Sequence, residues 1–233
     1  MSSPIDDHTT IFRRSWSLYD AITAENYMFH RELYSEVEAI LERRHGTGDY
    51  SVLDLGCGSA RFLAPSLQSA PPVSYTGVDL SPVALTEAQD YLAGLGGVSL
   101  HERDMVEFAA ESGGGYDVIF SGFAMHHLDA AAKASLFSHC VCALAPGGFF
   151  LLIDVLRDEG QTRDEYIAGY LAMMRGEWKA MSAEMIEETC DHVAAHDEPA
   201  SLSELSELAT AAGLTSVTLL AKHRQHHLIR FER

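Results

Sequence analysis

The stretch SVLDLGCGSARFL, residues 51–63, constrains this chain more than any other part of it. An apolar run with one acid, Asp54, breaks at Gly56 and Gly58 and passes at once into an amphipathic segment. Strand, glycine turn and helix in that order open an α/β unit, because the glycines let a backbone come close to a nucleotide at the end of a strand. A bare G-x-G is shared with dinucleotide binders, so the nucleotide must be read from residues further along the chain.

Beyond the turn the chain alternates. Short apolar runs at 51–55, 74–78, 98–102, 117–121 and 149–155 are separated by segments of helical periodicity. Runs this short and nearly continuous suit buried parallel strands, and the intervening segments suit crossover helices. The pattern is that of a doubly wound α/β sheet. In LAPGGFF, residues 144–150, a helix is expected to stop near Pro146 and the paired glycines to reverse the chain into the next strand. From 157 to 196 the chain turns charged, Met-rich and aromatic, and reads as a helical insertion over the edge of the sheet. Ser201 with Glu204 forms a capping box that opens a helix closing at Gly213, and strands at 216–221 and 226–232 read as a hairpin. The expected fold is Rossmann-like, a seven-stranded, mostly parallel sheet with an antiparallel C-terminal hairpin strand. It is organised as one domain: a helical cap over 10–44, a core over 50–156, a helical lid over 157–200, and a final helix and hairpin over 201–233.

Composition narrows the partners. Thirty-four acids against 16 bases leave a formal net charge of -18, which repels polyphosphates and argues against nucleic acid as a substrate. The first residues, MSSPIDDHTT, lack the basic and apolar order of a secretory leader, and no apolar run reaches the roughly 18 residues of a membrane span. A cytoplasmic protein without membrane contact is expected, and homodimer formation is left open. The four cysteines, at 57, 140, 142 and 190, show no C-x-x-C spacing and read as reduced, structural thiols.

Three details separate the nucleotides. Asp54 puts a carboxylate where a pyrophosphate is unwelcome and where a ligand with an ammonium and a sulfonium is not. Arg61 occupies the third glycine position of G-x-G-x-x-G, which breaks the dinucleotide fingerprint. Asp79 ends the second strand, where an acid can bind both ribose hydroxyls, and Asp104 follows the third, placed to accept from an adenine amino group. An acid after each successive strand fits an adenosyl cation.

With these residues in view, VLDLGCGSARFL, YTGVDLSPVAL, HERDM, YDVIFSGFAMHHLD and LAPGGFFLLIDV together resemble the ordered motifs of the class I S-adenosylmethionine (SAM)-dependent methyltransferases. The resemblance implies SAM as cofactor, with S-adenosylhomocysteine as its product. It places Gly56 and Gly58 against the methionine part, Asp79 with its neighbour Leu80 at the ribose, Asp104 and Met105 at the adenine, and the Ser121 backbone at the methionine amine. Ala60 stands where the family commonly has a third glycine.

Methyl transfer from a sulfonium is an in-line displacement, so the protein has mainly to align the nucleophile and exclude water. A base is needed only when the acceptor arrives protonated. His127, with His126 as its alternate, lies just after the fourth strand and is the candidate base, titrating near neutral pH. A helix-opening histidine packed on the core explains the pair equally well. Tyr27, His30 and Tyr34 are spaced three, four and seven apart and are expected on one helical face, Tyr34 against the cofactor and the other two towards the acceptor. Tyr170, Arg175 and Trp178 of the lid are candidate acceptor contacts, although many of the lid aromatics need only seal helices onto the sheet. His192 and His196 lie one helical turn apart, but Val193 stands where H-E-x-x-H needs a glutamate and no third ligand is evident, so no metal is expected. The leading expectation is transfer of a methyl group to oxygen, nitrogen or sulfur of a small-molecule acceptor. The alternatives are a SAM-modifying enzyme of the carboxy-SAM synthase type, with Arg175 holding the added carboxylate, and a non-catalytic SAM-binding protein.

Overall fold

A computed structural model describes residues 21–46 and 48–233. The part of the expected N-terminal cap over 10–20 lies outside the described residues. Among the described residues seven strands form one sheet: β1 (Ser51–Leu55), β2 (Ser74–Asp79), β3 (Val98–Glu102), β4 (Tyr116–Gly122), β5 (Leu144–Val155), β6 (Ser216–His223) and β7 (His226–Glu232). Their order is β3-β2-β1-β4-β5-β7-β6, parallel from β3 to β5, with β7 antiparallel to both β5 and β6. This is the Rossmann-like sheet expected from the alternation. The strand order reverses between β1 and β4, and that switch point opens a crevice at their carboxyl ends.

Helices cover both faces, and the period of two along the strands decides which residue serves which face. On β5, Phe149, Leu151, Ile153 and Val155 join one apolar cluster, while Phe150 and Leu152 join the other. The first face packs against α1 (His30–His45), α2 (Ala64–Ser69), α3 (Pro82–Tyr91), α6 (Arg163–Glu177) and α7 (Ala183–His196); the second packs against α4 (Met105–Glu111), α5 (Ala130–Ala143) and α8 (Leu202–Ala212). A core dense in fully buried aromatics, with Phe137, Phe150 and Phe231 ring centroids 5.0–5.9 Å apart, holds β5, β7 and α5 together.

Three local expectations change. Tyr27 does not share a helical face with His30 and Tyr34, because Phe29 takes a left-handed conformation (φ 57°) and α1 starts only at His30. The segment expected as a helical lid forms two helices, broken between Glu177 and Ala183, with Ser182 capping the second through Met185 N–H. In LAPGG, the helix ends at Ala143 and β5 already begins at Leu144. The extra residues are absorbed by a register shift against β4, where Gly148 passes so close that a Cβ there would lie 2.9 Å from the Tyr116 and Asp117 carbonyls. The C-terminal capping box forms as expected, with Ser201 and Glu204 bonding reciprocally and Gly213 left-handed at φ 105°.

Candidate functional site

The turn after β1 is built from backbone that side chains would obstruct. Gly56 (φ 73°) and Gly58 (φ 52°) are left-handed, and a Cβ on Gly56 would lie 2.4 Å from that of Ala124. Ala60 takes the same left-handed region (φ 56°) without being glycine, a strain of about 1 kcal/mol or more. Asp79 clasps the turn: its carboxylate accepts from Gly58 N–H and Ser81 N–H, each at 2.8 Å. Burial raises its pKa, opposed by those two backbone donors.

Asp54 is buried in β1. Tyr75 Oη donates to its Oδ2 at 2.7 Å, whereas Oδ1 has no hydrogen-bond partner among the described residues. Burial pushes its pKa up to about 7, and the nearby Asp79 charge adds to the shift. A buried carboxylate with one free oxygen calls for a cationic partner. It lines a cavity of about 280 Å³ together with the glycine turn, Asp79, Tyr34 and Phe62. His30 is fully buried behind this wall, its ring 4.4 Å from Phe62 and 4.8 Å from Phe123, and burial lowers its pKa to about 3.

The remaining residues expected at a cofactor, Leu80, Asp104, Met105 and Ser121, do not line this cavity. Met105 Sδ lies 3.7 Å from the Cβ position of Gly56. Asp104 is the N-cap of α4 and accepts from Val106 and Glu107 N–H through a single oxygen, Oδ1. Leu80 is exposed beside Asp79. Ser121 is buried with its hydroxyl turned onto the Leu55 carbonyl, and its neighbours Phe120 and Gly122 line the cavity instead.

A second cavity, of about 130 Å³, adjoins the first, and Phe123 and His127 belong to the walls of both. Phe123 sits at the end of β4 with φ 55°, a strained conformation for a bulky residue. Tyr170 and Met174 of α6, with Trp178 at its end, form the apolar side of this cavity, and His126, His192 and Asp197 supply its polar side. Tyr27 lies outside it, stacked on Trp178 at 4.9 Å, where its hydroxyl accepts from Ala180 N–H. Arg175 lies on the outer surface in a two-pronged pair with Glu187, and it lines neither cavity.

The short helical turn Met125–His127 presents its two histidines differently. His126 is buried, with Nδ1 2.5 Å from Asp154 Oδ1. Burial alone lowers its pKa, but the Asp154 charge and hydrogen bond outweigh this and raise it. His127 keeps 42 % of its side chain exposed towards the cavities. Desolvation, then repulsion from His126 and His192, holds its pKa down at about 3, well below the near-neutral range its position suggested. Asp197 closes the cluster: burial raises its pKa to about 6, against the attraction of His126. Its placement depends on the end of α7, where Glu198 N–H donates to the His126 carbonyl at 2.7 Å and Lys133 Nζ donates to the Leu128 and Glu198 carbonyls.

Asp154, Asp197 and Phe123 were absent from the residues expected at the site. Asp154 carried a signal: it is the lone acid in the buried run FFLLIDV, and a charge there needs a partner. Asp197 carried none, because only the packing of α7 brings it beside His126.

With this geometry in view, known proteins supply a context. A family described as "Methyltransferase domain" matches residues 53–150. An uncharacterized methyltransferase of Synechocystis, sll0829, is 31 % identical over 110 residues; these make up 46 % of this chain and 47 % of that protein, so the match spans about half the length of the relative. Among solved structures, an O-methyltransferase family protein from Burkholderia thailandensis is similar with a TM-score of 0.64 and 20 % identity, over 91 % of this chain and 59 % of that one. DhpI in complex with S-adenosylhomocysteine has a TM-score of 0.58 and 19 % identity, over 94 % of both chains. At such identities the likeness is one of fold.

Proposed function

We propose that this chain, whose residues 53–150 match a family described as a methyltransferase domain, uses SAM to transfer a methyl group to oxygen, nitrogen or sulfur of a small-molecule acceptor. The observation that carries the reading is the pair of adjoining cavities at the switch point, one built on the glycine turn and a free buried carboxylate, the other on lid aromatics and histidines, with His127 and Phe123 as their common wall.

The first cavity suits SAM on the chemistry of its donors. Asp54 Oδ1 offers its unused acceptor capacity to the ammonium, and Gly56 and Gly58 leave room for the methionine part. Asp79 keeps lone pairs for the ribose beyond those used by Gly58 and Ser81, since each carboxylate oxygen accepts more than once. Met105 and Asp104 border the adenine end. When bound, the cofactor supplies a sulfonium-activated methyl group. The chain's own part is positioning and drying: Tyr34 and Phe62 cover one side, and Phe123 forms a hydrophobic partition to the acceptor.

The second cavity is less than half as large as the first and is roofed by Tyr170, Met174 and Trp178, which suits a compact acceptor with an apolar body. His127 faces it as a neutral imidazole, accepting a hydrogen bond from a protonated nucleophile. Positive charge that forms on the ring is met by Asp197 Oδ1, 3.6 Å from Nδ1. His126, held by Asp154, keeps this arrangement rigid. The net charge of -18 disfavours a nucleic-acid acceptor.

Incubating the protein and methyl-labelled SAM with a small-molecule extract and following the label by mass spectrometry tests the reading. Label in a compound small enough for the second cavity supports it. Label confined to protein or RNA, or SAM bound without any transfer, contradicts it.

A further inference from the structure

At the common wall, three side chains of metal-ligating type point at one another, one of them His127 of the wall itself. Asp197 Oδ1 lies 3.6 Å from His127 Nδ1 and 3.8 Å from His126 Nε2, and one donor atom from each residue falls within 4.8 Å of the other two. We propose that His126, His127 and Asp197 bind one divalent transition-metal ion of the zinc type, with its remaining position open to the second cavity.

The spacing suits the ion. A tetrahedral centre with bonds of about 2.0–2.1 Å sets its ligand atoms roughly 3.3–3.5 Å apart, so the two separations from Asp197 need only slight contraction, and the two imidazole nitrogens, within 4.8 Å of each other, close by a larger rotation of the partly exposed His127 ring. Two further observations point the same way. Asp197 Oδ1 is buried without a hydrogen-bond partner among the described residues, which is costly for a carboxylate oxygen and is relieved by a cation. His126 spends Nδ1 on Asp154, which leaves Nε2 as the nitrogen facing Asp197, where a metal ion takes the place of a proton, and a carboxylate behind a histidine is the usual outer shell of a metal ligand. The frame is also braced: the hydrogen bond from Glu198 N–H to the His126 carbonyl locks the end of α7 to the histidine turn. Two imidazoles and a carboxylate favour zinc and its first-row neighbours over magnesium or calcium, which prefer all-oxygen sites.

The role of the ion rests on the methyl-transfer reading above. A hydroxyl or thiol of the acceptor that takes the open position becomes more acidic; its X–H bond breaks, the electron pair stays on X, and the proton passes to solvent. The acceptor then lies at the common wall as a metal-stabilised anion, and no strong base is required of His127. The substrate class becomes compact alcohols, phenols or thiols able to ligate a metal as anions.

The test uses the full chain, stripped with a chelator and titrated with Co2+ while its visible d–d absorption is followed, then with Zn2+ in competition. One Co2+ per chain with the strong absorption of a low-coordinate site, displaced by Zn2+, is expected. His127→Ala and Asp197→Asn should each weaken Co2+ binding by about 100-fold or more, Asp154→Asn by about 10–100-fold as an outer-shell change, and His196→Ala should leave it unaltered. His127 is partly exposed and Asp197→Asn is isosteric, so both variants are expected to fold, which circular dichroism verifies. Absence of saturable uptake, or uptake equally tight in folded His127→Ala and Asp197→Asn, overturns the site. Binding of S-adenosylhomocysteine to the stripped protein separates the two claims: cofactor binding without metal uptake overturns the metal site alone, and metal uptake without cofactor binding upholds the site and overturns the methyl-transfer reading.

Discussion

At the residue scale, the free oxygen of Asp54 sets a pH dependence whose sign can be worked out. Its folded pKa, about 7, is above the ordinary carboxylate value of 3.8. The folded protein therefore holds a proton that the unfolded chain releases, and stability contributed by this group falls as pH rises from about 4 through 7. An ammonium-bearing ligand wants the ionised form. Affinity for S-adenosylhomocysteine should therefore rise about tenfold per pH unit up to roughly pH 7 and level off above it. Asp54→Asn should flatten that profile, and calorimetry across pH values checks both. A wild-type profile as flat as the variant's contradicts the contact. Ala60 gives a second residue-scale prediction. Because it is held left-handed at φ 56°, Ala60→Gly should raise stability by about 0.5–1 kcal/mol, as a shift in the urea midpoint. His127→Asn should lower turnover by roughly 10²–10⁴-fold while cofactor affinity stays close to wild type, whether the imidazole takes the proton or helps to hold an ion.

At the scale of elements, the roof of the second cavity comes from α6 and its end. Trp178 is almost fully buried, is stacked on Tyr27, and lines the cavity. Trp178→Ala should cost about 3–5 kcal/mol if α6 stays docked, and less if the segment simply lifts. On the opposite side of α6, Arg175 pairs with Glu187 in solvent, so that face gains little from being closed. An apolar inner face with a wetted outer one can dock and lift at modest cost. Hydrogen exchange should slow over residues 163–178 and 27–34 on addition of S-adenosylhomocysteine with an acceptor. Unchanged exchange in both segments would show that neither closes. This coupling was only partly legible in sequence. The spacing of Tyr27, His30 and Tyr34 suggested one helical face, whereas the left-handed Phe29 turns Tyr27 out towards Trp178 and Ala180. Phe29 carries no glycine or asparagine signal for that conformation, so helical periodicity had nothing to correct it.

At the scale of the whole molecule, the parts legible from sequence are those that local chemistry dictates. Strand residues alternate between two apolar clusters, the glycine turn is left-handed where a Cβ would collide, and the capping box at Ser201 forms with its left-handed Gly213. Residues joined only by folding were not legible. Asp197 reaches His126 from α7, 71 positions along the chain, through packing that no periodicity encodes. The bulge that absorbs residues between Leu144 and Phe149 depends on β4 lying alongside, and LAPGG alone reads as a simple reversal.

The central claim is that the crevice between β1 and β4 holds SAM through its glycine turn and its two acids. Titration calorimetry of SAM into the wild-type chain and into Asp79→Ala tests it most directly. On this claim Asp79 supplies the ribose contacts as well as the clasp on Gly58, and losing charge-assisted hydrogen bonds of this kind costs about 1.5–3 kcal/mol. One SAM per wild-type chain, with affinity lower by roughly one to two decades in a folded Asp79→Ala, is the predicted result; no saturable binding by the wild type, or equal affinity in both proteins, would contradict the account.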